Sequence, residues 1–460
     1  MEFVRAHVQR VTPAQWDALA VAAIVVGVLL RVVWGLLLHP SVDYIYSDMA
    51  GYVERAQRLA AGSGLVRYDA FYPPATHILL AVPLKVLDTG RAGLWGGAVL
   101  WSALSSLTPL LMWRLARHLL TPAAAALTAL LCALWPLHIT YGGVFTSETP
   151  AIALLVAALW LGYRAGWARG RAALGLGLVA GLLWGAAIAV RPQSGLNWLV
   201  LAVPLVLQSR RQALALAGIV VGTAVPLVGV LVHNSVAAGK PTGISENSGL
   251  VFWQGHCEVN TVTTVDPNTG VRFVFGSPVD IQRGGGQDYY FEDHLVWDQP
   301  FFYAQGWECI RDDGLGHVRR ILRNVLDMTA TTVPWPQSNN ETGQREVVRV
   351  SNFVYSALLA GIVVEALALA RRRRVSGRPA GEAVMLAHLA SMITLAIVFS
   401  GDPRYRTPSD VFGLALLAAL LADRLGLDRG ARGGDVQPAR HAQELPHAGT
   451  GSATRDRPLG

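Results

Sequence analysis

Ten separate apolar runs, most of them long enough to cross a hydrocarbon core, leave this chain few choices of fold. A helix rises about 1.5 Å per residue, so roughly 20 apolar residues reach from one face of a bilayer to the other. Lipid offers backbone groups no hydrogen-bond partners, so each run must satisfy its own and is read as a helix. The runs lie near 17–38, 92–113, 122–140, 147–165, 172–190, 194–209, 212–233, 351–370, 383–399 and 409–423. Composition agrees: 52% of the 460 residues are apolar and only 15% charged, against about 25% charged in a soluble domain. The stretch from Tyr72 to Leu87 is also apolar, but it is short, opens with Pro73-Pro74 and contains Pro83 and Lys85. It is read as a juxtamembrane or re-entrant element. The expected class is an all-α polytopic membrane protein of about ten spans, with juxtamembrane helices and a mixed outer loop domain.

Basic residues in short loops set the orientation, because translocating them is disfavoured. With the N-terminus in the cytoplasm, the cytoplasmic connections carry Arg114 and Arg117, then Arg164, Arg169 and Arg171, then Arg210 and Arg211, then Arg371 to Arg374. Counting 72–87 as a crossing would invert every later loop. Both termini are therefore expected in the cytoplasm, with the protein in a plasma membrane, that of a bacterium. The first span follows Arg5 and Arg10, but it is too long for a secretory signal and no small-x-small cleavage site follows, so it is expected to stay. The net charge of +7 lies in these arginine clusters, which argues for a topology signal and against nucleic acid as a partner. The resulting organisation is a cytoplasmic segment 1–16, a transmembrane module 17–233 with an outer loop 39–91, an outer loop domain 234–350, spans over 351–423, and a disordered cytoplasmic tail 424–460.

The second outer loop is rich in aromatics, among them Phe252, Trp253, Tyr289, Tyr290, Trp297, Phe301, Phe302 and Trp307, which serve as a small core or an interfacial belt. Cys132 falls inside a span and packs as a small hydrophobe. Cys257 and Cys309 share the outer loop, an oxidising compartment, and are a candidate disulfide.

Four segments place ionisable residues at the outer face, where each is costly without a task. They are Asp43 to Tyr52 with Asp48 within it, Thr146-Ser147-Glu148-Thr149-Pro150, Arg191-Pro192-Gln193, and Gly401 to Pro408 with Arg404, Tyr405 and Arg406. Arg191, Arg404 and Arg406 break the positive-inside pattern. A phosphate at the membrane surface would account for them, since guanidinium forks hold phosphate in bidentate geometry; headgroup anchoring, or pairing with Asp402 or Glu148, is the alternative. Asp48 stands at the start of an amphipathic segment ending at Gly62 and suits either a general base or a helix N-cap. Asp43 and Asp69 compete for the role of base.

In sum these segments resemble the GT-C superfamily of membrane glycosyltransferases, in particular the protein O-mannosyltransferase and lipid A aminoarabinose-transferase-like branch (glycosyltransferase family 39-like). The likeness rests on Asp48-x-x-x-Tyr52-x-x-x-Ala56-x-x-Leu59-x-x-Gly62, Tyr72-Pro-Pro74, Ser147-Glu148-x-Pro150, Arg191-Pro192, Arg404-Tyr405-Arg406-x-Pro408, His233-Asn234, Gly239-Lys-Pro241 and Ser245 to Gly255. Val411-Phe412, where a further Pro is often found, and Glu148, where some relatives have Asp, depart from the pattern and bear on substrate identity.

The resemblance implies inverting transfer of a monosaccharide, hexosyl or pentosyl, from a polyprenyl-phosphate donor to a hydroxyl of a lipid, glycan or protein on the extracytoplasmic side. Asp48 would be the base; Arg191, Arg404 and Arg406, aided by Tyr405, would hold the phosphate. Glu148 or Asp43 would orient the acceptor or help bind a divalent metal ion. A flippase or transporter of lipid-linked sugars, or a non-catalytic envelope glycan assembly protein, is the competing reading. A transporter usually needs polar groups near the bilayer midplane and often shows internal repeats.

Overall fold

The structure, a computed structural model, describes residues 11–45, 48–208, 212–257, 262–265, 272–275, 290–291, 297–330, 342–372 and 381–427. The expected tail beyond 427, the first ten residues, and Arg210, Arg211, Arg373 and Arg374 lie outside these. In chain order the helices are α1 (Pro13–Val32), α2 (Asp48–Ala60), α3 (Ala75–Val86), α4 (Arg91–Leu119), α5 (Pro122–Leu134), α6 (Pro136–Tyr141), α7 (Glu148–Trp167), α8 (Gly170–Val190) and α9 (Ser194–Gln208). They continue with α10 (Ala213–Ala238), α11 (Ser248–His256), α12 (Gln299–Asp312), α13 (Gly314–Asp327), α14 (Thr342–Arg372), α15 (Gly381–Val398), α16 (Pro403–Arg406) and α17 (Asp410–Arg424).

Among the described residues, seven helical segments are long and apolar enough to cross a membrane: those built on α1, α4, α7, α8, α10, α14 and α15. The other three expected spans are shorter helices. The run 122–140 is divided because Pro136 cannot donate to an α-helical ladder and its ring pushes Trp135 into an extended conformation (φ −66°, ψ 112°), so α5 stops and α6 begins anew. Helices α9 and α17 have 15 residues each, about 22 Å of rise. Helix α3, at 12 residues, is too short to span.

Close packing follows from small residues. Gly177, Gly181 and Gly185 of α8 recur every four residues; the first two face Gly218 and Gly222 of α10, and Gly185 meets Thr223 and Pro226. A methyl group on Gly181 would come within 2.3 Å of the Ile219 carbonyl oxygen, and one on Gly222 within 2.3 Å of that of Leu178. The two helices therefore touch backbone to backbone, the arrangement that small residues four apart allow in lipid. Two polar side chains inside the bundle find their partners within it. Arg31 of α1 is fully buried and donates to Ser105 Oγ and to the carbonyls of Gly27, Cys132 and Ala133. His388 of α15 lies between Tyr163 Oη (2.9 Å) and Asn197 Oδ1 (3.0 Å). Exposed Leu19, Val25 and Leu29 on α1, and Val221, Val225 and Val232 on α10, form the apolar outer surface.

Two loops cover one end of the bundle. The first holds a 3₁₀ turn (Ser41–Asp43), α2, a second 3₁₀ turn (Arg67–Ala70) and α3. Helix α2 is followed by Gly62, whose φ of +77° a side chain would disfavour. The second holds α11, three short strands, α12 and α13. Strand β1 (Val262–Val265) is central, antiparallel to β2 (Arg272–Phe275) and parallel to β3 (Tyr290–Phe291). A disulfide joins Cys257, after α11, to Cys309 of α12, with Cα atoms 5.3 Å apart. Phe71, Leu250, Trp253, Trp297 and Phe302 pack around it and join the two loops.

Candidate active site

The covered end of the bundle gathers one ionisable residue from each of four distant segments. Asp48 is the first residue of α2. Its Oδ2 accepts from Arg404 Nη1 at 2.7 Å, and its Oδ1 accepts from the Tyr72 hydroxyl at 3.2 Å. Glu148, the first residue of α7, is fully buried; its Oε1 accepts from Arg191 Nη1 at 2.5 Å and from Arg404 Nε. Arg404 thus bridges the two carboxylates, and Arg191 backs the second.

Local sequence explains each placement. Pro192 disfavours a helical conformation at Arg191, which is extended (φ −143°, ψ 108°) and ends α8. That exit carries the Arg191 guanidinium to Ser147 Oγ (3.0 Å) and Glu148. Arg404 sits on the single turn α16, opened by Pro403 and capped by Asp402, whose carboxylate accepts from the Arg404 backbone N–H at 2.7 Å. Gln193 donates to the Tyr405 carbonyl at 3.1 Å and ties this turn to the end of α8; the Tyr405 ring lies 5.7 Å from the Arg191 guanidinium.

The electrostatics follow from this pairing. Burial alone would lower the Arg404 guanidinium, but the Glu148 and Asp48 carboxylates outweigh it and hold it well above its usual value. Burial, and then the adjacent Asp48 charge, hold the Tyr72 hydroxyl well above its ordinary value, so it stays a donor. Burial also raises Tyr405 and pushes the Asp402 carboxyl up to about 6. Accessibility divides the cluster: the Asp48 and Arg404 side chains keep 23% and 14% of their exposure, while Glu148 keeps none.

The structure does not bring all the expected residues here. Arg406, two residues beyond Arg404, is fully buried elsewhere: it donates to Asp410 (2.8 Å), Asn352 (3.0 Å), Ser356 (3.1 Å) and the Met328 carbonyl (3.1 Å), with the Tyr355 ring 4.8 Å away. Asp43 is 42% exposed and pairs with Arg91 at 2.9 Å, outside the cluster. Asp69 pairs with Arg58. Sequence reasoning passed over Tyr72 as a site residue, although its Tyr-Pro-Pro setting marks it, and it passed over Arg55. The latter is buried within 4.8–5.3 Å of the Tyr52, Tyr68 and Tyr72 rings. Such cation–aromatic contacts brace α2 beneath Asp48. Among the described residues no three His, Cys, Asp or Glu share one place. Arg404 and Arg191 together balance the charges of Asp48 and Glu148, so these residues do not fit a divalent cation.

Comparison with known proteins gives the fold. Residues 72–235 match the family model described as dolichyl-phosphate-mannose-protein mannosyltransferase. The chain resembles the oligosaccharyltransferase of Archaeoglobus fulgidus in its apo form, with a TM-score of 0.51 and 14% identity over 90% of this chain and 51% of that one. The same archaeal enzyme, AglB, in complex with an inhibitory peptide and a dolichol-phosphate, gives 0.51 and 14% over 92% and 52%. The chain therefore spans about half the length of these enzymes. ArnT from Cupriavidus metallidurans follows at 0.38 and 16%, over 90% and 77%. Comparison with curated protein sequences gives no match.

Proposed function

We propose that this chain, which carries the GT-C membrane glycosyltransferase fold, transfers a monosaccharide with inversion from a polyprenyl-phosphate donor to an acceptor hydroxyl. The reaction takes place on the extracytoplasmic side of a plasma membrane, that of a bacterium, with both termini in the cytoplasm. The acceptor is a lipid, a glycan or a protein, and the sugar a hexose or pentose. The observation that carries this reading is the bridge of Arg404 between Asp48 and Glu148, backed by Arg191. The dolichol-phosphate complex of the fold relative fits a lipid-phosphate carrier.

Two carboxylates and two guanidiniums make a cluster of balanced charge. Asp48 accepts the proton of the acceptor hydroxyl as its oxygen attacks the anomeric carbon and the bond from that carbon to the phosphate oxygen breaks. The electron pair leaves with the phosphate. Neutralising Asp48 leaves Arg404 and Arg191 facing only Glu148, so one positive charge becomes uncompensated as the leaving phosphate gains negative charge. Such placement stabilises the transition state more than the ground state. A positioned base contributes about 10²–10⁴-fold. Glu148, out of reach of substrates, holds the two guanidiniums in place; Arg406 anchors the turn beneath them.

A transporter of lipid-linked sugars would need polar groups open along its interior. The interior His388 instead meets Tyr163 and Asn197, which favours the transferase. Purified protein in lipid vesicles, given a panel of radiolabelled polyprenyl-phosphate sugars, tests the reading. Label should pass from one donor into an acceptor fraction of membrane lipid, glycan or protein. Sugar crossing the vesicle wall without a change of covalent attachment would refute it.

A further inference from the structure

Helix α13 (Gly314–Asp327) turns its apolar side outward. Leu315, Leu322 and Leu326 are 81%, 58% and 67% exposed, and Val318 is exposed beside them. At 3.6 residues per turn the three leucines fall within about 40° of arc, with Val318 about 60° to one side. The opposite side is polar and faces the protein. Asn324 donates to the carbonyls of Gly255 (2.9 Å) and Phe399 (3.4 Å), Asp327 is buried, and the His317 ring lies 5.1 Å from that of His256. A helix on a water-facing surface has the reverse arrangement.

Two further observations say what covers the stripe. Phe399, which accepts from Asn324, directly follows the membrane-crossing helix α15, whose Ile393, Ile397 and Val398 are exposed. The stripe of α13 therefore stands where a lipid-facing surface meets the membrane boundary. Exposed Arg319, and Arg323, which is half-exposed while pairing with Asp327 at 3.7 Å, flank the leucines on one side, about 40° and 80° round the helix from Leu315. Cations beside an apolar stripe suit the phosphates of anionic lipid headgroups.

We propose that α13 is an in-plane membrane helix. Its leucines enter the acyl boundary of the leaflet at the active-site end, and Arg319 and Arg323 meet headgroup phosphates. Its polar side is bonded just before the turn that carries Arg404, so lipid contact fixes the level of that turn relative to the membrane surface.

The test uses the full chain in vesicles of phosphatidylethanolamine and phosphatidylglycerol, with Leu322→Cys or Leu326→Cys carrying an environment-sensitive fluorophore. The native cysteines do not interfere, since Cys132 is buried and Cys257 and Cys309 are bonded to each other. Quenchers attached to lipid acyl chains should lower emission from both positions by about threefold or more while aqueous iodide has little effect, as for a helix seated in the interface. Strong quenching by iodide alone would place the stripe in water. Quenching by neither would assign it to a protein partner or a second copy. Either result overturns the proposal. Leu315→Cys, at the most exposed position, gives the same reading should a label at Leu322 disturb the helix.

Discussion

The guanidinium of Arg404 lies 2.7 Å from the carboxylate of Asp48, 356 residues earlier in the chain. The same guanidinium contacts Glu148 through Nε. Arg404 thus ties the first loop, through Asp48, to the head of α7, through Glu148.

Asp48→Asn keeps the shape of the side chain and removes its basicity. Turnover of the labelled donor should fall by about 10²-fold or more, with donor binding largely intact, because a base acts in the transition state. Asp43→Asn, which loses only an exposed pair with Arg91, should stay near wild-type turnover. Turnover lost in Asp43→Asn and kept in Asp48→Asn would move the role.

Arg404 and Arg406 should separate in kind. Arg404→Ala is expected to weaken donor binding by about 1–3 kcal/mol, the range for charge-assisted hydrogen bonds. Arg406→Ala should instead cost stability, about 3–5 kcal/mol, because it leaves Asp410 buried and uncompensated. Replacing both members, Arg406→Met with Asp410→Leu, should restore much of that loss. Donor titration and thermal melts in detergent measure the two effects; a folded Arg406→Ala protein with weakened donor binding alone would reverse the assignment.

Asp402 makes a stability prediction with a defined sign. Its carboxyl is raised by burial from 3.8 to about 6 in the folded protein. Across that window the folded state holds the proton more tightly than the unfolded chain, so this group's contribution falls as pH rises. The loss is complete above about 6 and is at most about 3 kcal/mol. Asp402→Asn keeps an oxygen to cap Arg404 and removes the charge. Its melting temperature should exceed wild type at pH 8, and the advantage should disappear towards pH 4. An advantage independent of pH would contradict the argument.

Orientation is checked with exposed positions. Arg91→Cys, beside the first loop, should react with an impermeant thiol reagent applied to intact cells, and Arg424→Cys, at the end of α17, only after permeabilisation. Ser147 and Ser400 stand at the expected outer ends of their segments but are too buried to report on sidedness. The opposite pattern would invert the membrane topology.

Much of the architecture was legible without coordinates. Length and apolar content identify membrane helices because a bilayer imposes one thickness on every span and forbids unsatisfied backbone. The local stops were legible too: Pro192 after Arg191 and Pro403 before Arg404 act through φ, ψ and missing donors of neighbouring residues. Asp48, Glu148, Arg191 and Arg404 stood out because ionisable groups at one end of several apolar segments are costly without partners.

What the chain order could not decide is which partner each charge meets. Arg404 and Arg406 have the same chemistry and lie two residues apart, but on one helical turn that separation points them about 160° apart. One faces Glu148 and Asp48, and the other faces Asp410 and Asn352. Helix α13 presents the same limit: its periodicity reveals an apolar and a polar side, yet only the position of Gly255 and Phe399 settles that the polar side turns inward. Local sequence sets helix, turn and spacing through interactions between near neighbours. The choice of face depends on groups hundreds of residues away and is made only when the helices pack.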